Sequence, residues 1–129
     1  MDRDATIARA LEVLRRAGVP FAYLHGSTVS RTAHERSDID IAAFFGPARP
    51  RLGEVLLDLP GGVDLLVLDD AGLEMTGRVA LHGRLIHELD APARVEWEAT
   101  SRKIWFDERP RVERARREFL EAVRAHGRS

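Results

Sequence analysis

The stretch His25–Phe45, HGSTVSRTAHERSDIDIAAFF, ends in an apolar run suited to a buried strand, yet Asp38 and Asp40 interrupt it at alternate positions. Side chains two apart in a strand share a face, so both carboxylates point one way while Ile39 and Ile41 point into the core. Burying an unpaired carboxylate is costly, and two on one face repel each other. A divalent cation between them removes both penalties. Hard oxygen donors with no Cys or His cluster nearby suit Mg²⁺ or Mn²⁺. Asp64 opens the next apolar run, VDLLVL, and is a third carboxylate able to reach the same ions from a neighbouring strand. An Asp-x-Asp pair by itself is also a common loop or capping feature, and Asp64, following PGG, also suits turn chemistry. Asp69 and Asp70 compete for the third place, but their position after the strand suits a cap for the next helix.

The front of the same stretch supplies a different chemistry. Gly26 and Ser27 stand at the end of a short apolar segment, FAYLHG, just before a predicted helix start in STVSRTA. Glycine lets the backbone approach an anion, a helix start offers free N–H groups, and serine adds a hydroxyl. Such a phosphate grip beside a two-metal carboxylate site is the equipment of phosphoryl or nucleotidyl transfer. His25, just before the grip, either touches nucleotide or is a partly buried structural histidine. His34, His82, His87 and His126 form no recognisable ligand set.

Working outward, the pattern alternates. DATIARALEVLRRAG places Ile7, Leu11, Leu14 and Ala17 at helical spacing, with Asp4 as cap and Gly18 as stop. FAYLHG and SDIDIAAFF read as strands, with HER as a turn between them. GPARP reads as a loop, RLGEVLLDL as a short helix and VDLLVL as a third strand. GLEMTGRVALHG reads as a helix packing through Leu73, Val79 and Ala80, and RLIHE as a fourth, edge strand. From Ala91 onward the spacing is helical. Pro110 is expected to divide this tail into two helices. Trp97, Ile104 and Trp105 are placed on one face, and Val112, Ala115, Phe119 and Val123 continue an apolar stripe. Tyr23, inside a strand, reads as core. Trp97, Trp105 and Phe119 serve either internal packing or a partner interface, where aromatics are enriched.

The composition narrows the classes. With 129 residues, 44% hydrophobic and 32% charged, the chain is long enough for one domain with a modest core and too apolar for disorder. The net charge of −1 argues against binding nucleic acid by bulk charge. There is no cysteine, hence no disulfide framework or thiolate metal site. No apolar run spans a membrane, and MDRDATIARA lacks the order of a secretion signal, so a cytoplasmic location is expected. Residues 1–90 carry ten basic and fourteen acidic side chains, residues 91–129 ten and seven. The arginine-rich tail is either a solvated helix face or a surface for an acidic partner.

Gly26-Ser27, Ser37-Asp38-Ile39-Asp40 and Asp64 together resemble the minimal nucleotidyltransferase (MNT) family of the DNA polymerase β superfamily. VDLLVLDDAGLEMTGRVALHGRLIHE resembles the family's third strand, following helix and last strand, and WEATSRKIWFDERPRVERARREFLEAVR its helical tail. The resemblance implies an α+β fold: a polymerase-β-like core over residues 1–90, with a small mixed sheet of about four strands flanked by helices, and a helical tail over 91–129 that packs on the core or on a partner. It implies that Asp38 and Asp40 bind two Mg²⁺ ions. It implies that Asp64 helps hold one ion and deprotonates the acceptor, while Gly26 and Ser27 hold the β- and γ-phosphates of ATP. Family members usually carry arginines and a further glycine after the Gly-Ser pair. Here TVSRTAHER keeps Arg31 and Arg36 at shifted places, and Arg31 is either a phosphate contact or solvent-exposed.

The implied activity is that of an antitoxin in a two-gene module. It transfers AMP from ATP to a tyrosine hydroxyl of a HEPN-fold ribonuclease toxin, the two proteins forming a hetero-oligomer. A chain this short does not enclose an acceptor pocket, which points to a protein acceptor docked on the surface. Two alternatives compete. One is a nucleotidyltransferase acting on a small hydroxylated molecule such as an aminoglycoside. The other is a non-catalytic antitoxin that inhibits by occlusion, which the altered arginine segment favours and the three retained acids oppose.

Overall fold

A computed structural model describes residues 2–26 and 39–127 of the chain. The helix and turn expected in STVSRTAHER lie outside these residues. The described elements run α1 (Arg3–Arg16), β1 (Phe21–Leu24), β2 (Ile39–Phe44), α2 (Leu52–Asp58), β3 (Val63–Val67), α3 (Leu73–His82), β4 (Arg84–Glu88) and α4 (Ala91–Gly127). The strands form one mixed sheet in the order β3-β2-β1-β4. β1 lies antiparallel to both β2 and β4, and β2 lies parallel to β3. This is the expected α+β arrangement, with RLIHE at the edge.

The period-two alternation of β1 and β2 sorts their side chains to two faces. Ala22, Leu24, Ile39, Ile41 and Ala43 join Ala10 and Leu14 of α1 and Val55 of α2 in one core. Phe21, Tyr23 and Ala42 join Leu68, Val79 of α3 and Trp97 of α4 in the other. In the second core the Phe21 ring stacks on Phe44 at 5.1 Å and lies 5.6 Å from Trp97. Tyr23 is core, as expected. Its hydroxyl donates to Glu98 Oε1 at 2.7 Å, and burial together with that carboxylate pushes its pKa well above the usual phenol value. Arg94 completes the cluster by pairing with both Glu88 and Glu98.

Several local expectations change. The cap of α1 is Asp2, whose Oδ1 accepts from the Ala5 N–H at 2.7 Å. Asp4 sits inside the first turn, where its charge suits the helix dipole. GPARP is not open loop but a 3₁₀ turn, Gly46–Arg51. Asp69 secures its start by accepting from the Phe45 and Gly46 N–H groups, each at 2.8 Å. Asp70 pairs with Arg49. These two acids therefore cap backward onto this turn, not forward onto α3, whose N-cap is Gly72 with no side-chain bond.

The tail is also different. α4 is one helix with Pro110 inside it. Proline there removes one N–H donor, but the position is exposed, so water can take the freed carbonyl. The pairs Arg111–Glu108 and Arg109–Glu113 bridge the same turns. Trp97, Ser101 and Trp105 form the inward seam at a spacing of four, while Ile104 points outward. Beyond Glu113 every described residue of α4 is exposed, including Phe119 and Val123 of the expected stripe.

Candidate active site

One end of the sheet gathers three strand termini. β1 runs antiparallel to β2, so its last residues meet the start of β2, and β2 and β3 start side by side. Asp40 and Asp64 are register partners across the parallel pair. They project on the same face as Ala42 and Leu66, the face covered by α3 and α4. Asp40 is half-buried and Asp64 exposed. The His25 N–H donates to the Asp40 carbonyl at 3.0 Å, and the Ile39 N–H to the Gly62 carbonyl at 2.7 Å. These bonds fix the strand ends on either side of the carboxylates.

Gly26 follows directly, with φ +62°. A Cβ at this position would lie 3.2 Å from Asp40 Oδ2. The backbone thus passes against the carboxylate with no side chain between. His25, half-buried on the same face, is held below the ordinary histidine pKa by burial, against the upward pull of Asp40 and Asp64.

Of the residues predicted for the site, the structure brings Gly26, Asp40 and Asp64 to one sheet end. Ser27, Arg31 and Asp38 lie outside the described residues. Among the described residues no three His, Cys, Asp or Glu side chains converge as a ready metal cluster. What is present is a pair of hard carboxylates in register at an open edge, and that donor chemistry fits Mg²⁺ or Mn²⁺.

The sheet end opens into a cleft of about 790 Å³. His25, Gly26 and Asp40 form one side. Met75, Arg78 and His82 of α3, with Trp105 and Arg109 of α4, form the other. No motif in the sequence marks these α3 and α4 side chains as cleft residues. Met75, Arg78, Val79 and His82 recur at i, i+3, i+4 and i+7, a signal that they share a face. That α4 folds back to meet them has no such local signal. A second hollow, about 490 Å³, lies between α1 and α2 on the opposite side of the sheet. Its charged groups largely pair among themselves, as in Arg16–Glu12 and Arg51–Glu54, and it contains none of the strand-end acids.

The family model for polymerase beta nucleotidyltransferases matches residues 9–91, from α1 to the first residue of α4. No curated protein matches the chain. Several solved structures share the fold. A chain of a toxin–antitoxin complex with AMP-PNP is 20% identical at a TM-score of 0.60, covering 94% of this chain and 98% of that one. A chain of the MntA–HepT toxin–antitoxin complex is 19% identical at 0.59, covering 94% and 98%. A chain from the complex of a tri-AMPylated Shewanella oneidensis HEPN toxin with MNT antitoxin is 19% identical at 0.54, covering 87% and 97%. At such identities the likeness speaks for the fold alone. The family match spans every strand that carries the acids, and with the sheet order it shows that this chain belongs to the polymerase beta nucleotidyltransferase family.

Proposed function

We propose that the protein is a Mg²⁺-dependent nucleotidyltransferase that acts as an antitoxin in the cytoplasm, transferring AMP from ATP to a tyrosine hydroxyl of a partner HEPN-fold toxin. The observation that carries this is the register of Asp40 with Asp64 beside the turn at Gly26. The solved toxin–antitoxin complexes that share the fold, one with AMP-PNP and one with an AMPylated toxin, support the choice of nucleotide and acceptor.

Asp40 and Asp64, with Asp38, are the residues that would hold two Mg²⁺ ions, whose charge would shield the triphosphate and acidify the acceptor hydroxyl. Gly26 and Ser27 receive the β- and γ-phosphates through backbone N–H and hydroxyl donors, with Arg31 as a further phosphate contact. Asp64, exposed on the edge strand, accepts the acceptor's proton. The acceptor oxygen bonds to the α-phosphorus, the bond from that phosphorus to the β-phosphate oxygen breaks, and pyrophosphate leaves. The open cleft and the exposed Asp64 suit an acceptor presented on a protein surface better than a small molecule, which needs enclosure.

The test uses ATP labelled on the α-phosphate, with Mg²⁺, in a lysate of the source cells. Wild type is expected to label one partner protein at tyrosine. Asp40→Asn and Asp64→Asn are each expected to lower that labelling by about a hundredfold or more. No label from wild type with the partner shown to be present overturns the reading in favour of a binding antitoxin, and equal labelling by the variants overturns it by showing that transfer does not depend on Asp40 and Asp64. Label on a small molecule transfers it to the aminoglycoside-type alternative.

A further inference from the structure

One cation on the cleft wall is in surplus. Glu74 of α3 accepts from Arg116 Nη2 through both carboxylate oxygens, each at 2.8 Å. Arg78 Nη2 adds another bond to the same carboxylate, also 2.8 Å long. One carboxylate therefore faces two guanidinium groups. The contact with Arg116 is the main cause that holds the Glu74 pKa below the usual carboxylate range. If Arg78 turns away, Glu74 keeps its partner. The Arg78 side chain is 61% exposed, and solvent-screened pairs of this kind contribute little, so release is easy.

Arg78 also has somewhere to go. It lines the cleft whose other side is His25, Gly26 and Asp40. A nucleoside triphosphate held at that sheet end brings several negative charges into the cleft, and a guanidinium fork matches phosphate oxygens with paired N–H donors. Resting on the nucleotidyltransferase reading, we propose that Arg78 is a triphosphate-binding residue: on nucleotide entry its guanidinium leaves Glu74, which Arg116 retains, and donates to the phosphates beyond the α-phosphate.

The inference is tested by calorimetric titration of the full chain with AMP-PNP and, separately, AMP, each with Mg²⁺. Arg78→Gln is expected to raise the Kd for AMP-PNP by about tenfold and leave that for AMP unchanged. Glu74→Gln, which releases Arg78 in advance, is expected to tighten AMP-PNP and not AMP. Arg78→Lys, which keeps the charge but loses the fork, falls between wild type and Arg78→Gln. A merely structural role for Arg78 predicts no such split between the two ligands. The inference is overturned if Arg78→Gln changes neither affinity or changes both alike. It is equally overturned if Glu74→Gln weakens AMP-PNP. Failure of wild type to bind AMP-PNP at all removes the nucleotidyltransferase reading as well, so the two failures are distinct.

Discussion

Gly26 holds the site together through what it lacks. Its φ of +62° is a conformation that costs an ordinary residue about 1–2 kcal/mol, and its missing Cβ leaves 3.2 Å to Asp40 Oδ2. Gly26→Ala therefore strains the turn and pushes the carboxylate out of line with Asp64. The expected result is a Tm lowered by roughly 3–10 °C and AMP transfer reduced by at least about tenfold, seen in thermal unfolding and in labelling from α-labelled ATP. Retention of full transfer would show that Asp40 does not depend on this approach. Much of the residue scale was legible beforehand. The alternation of Asp40 with Ile39 and Ile41, and the placing of Asp64 at the next strand's start, need only period-two reasoning. The contact of Gly26 with Asp40 was not legible, because it depends on the antiparallel register of Leu24 with Ile41. In the sequence His25 suits either a structural histidine or a nucleotide contact, and only the fold shows it beside both acids.

At the scale of elements, the cleft's far wall depends on how α3 meets α4. Gly77 of α3 lies against Trp105, and a Cβ there would come within 2.4 Å of the indole Cγ and 2.7 Å of its Cβ. Replacing glycine by alanine inside a helix gains about 1 kcal/mol of propensity. Overpacking a close contact costs about 1–3 kcal/mol, and here the obstructing atoms include the inner end of a buried tryptophan, which cannot swing aside. The second effect wins. Gly77→Ala is expected to lower stability by about 1–2 kcal/mol in urea unfolding, and Trp105→Ala in the same chain should cancel part of that loss, a coupling read by the double-mutant cycle. Additive losses would show that the helices are not seated on each other at Gly77. Among the described residues, the strands and the helices α1, α2 and α3 followed from periodicity, but their ends did not. Asp2 displaced Asp4 as cap because both are one-turn candidates and only the bond to Ala5 decides. Asp69 turned back to Phe45 and Gly46 because a long-range contact outranked the local helix start. Pro110 did not end α4, since its lost donor faces solvent and flanking ion pairs span it.

For the molecule as a whole, α4 is the element that exceeds the fold's own needs. Its inner part buries Ser101 and Trp105 and packs Trp97 against the sheet, while residues 114–127 are each exposed, with Arg116 reaching back to Glu74 of α3. A helix of that length extends about 20 Å at 1.5 Å per residue, and so short a segment is marginal in water without something to pack on. Phe119, Leu120 and Val123 are 66%, 47% and 52% exposed on this extension. Phe119 and Val123 are one turn apart, so they present one apolar patch flanked by arginines, the composition of a protein interface. The patch also lies on the same helix as Trp105 and Arg109 of the cleft wall, with Phe119 about 15 Å beyond Arg109 along the axis, so a partner spanning that distance would reach the cleft. Docking and chemistry should therefore be separable by mutation. Phe119→Ser with Val123→Ser is expected to leave Tm and AMP-PNP affinity unchanged while copurification of the partner and its labelling both fall by at least about tenfold. Asp40→Asn should do the reverse, retaining the partner and losing the label. Wild-type labelling by the Phe119/Val123 double variant would show that the acceptor approaches over another surface, and that the extension of α4 has a different use.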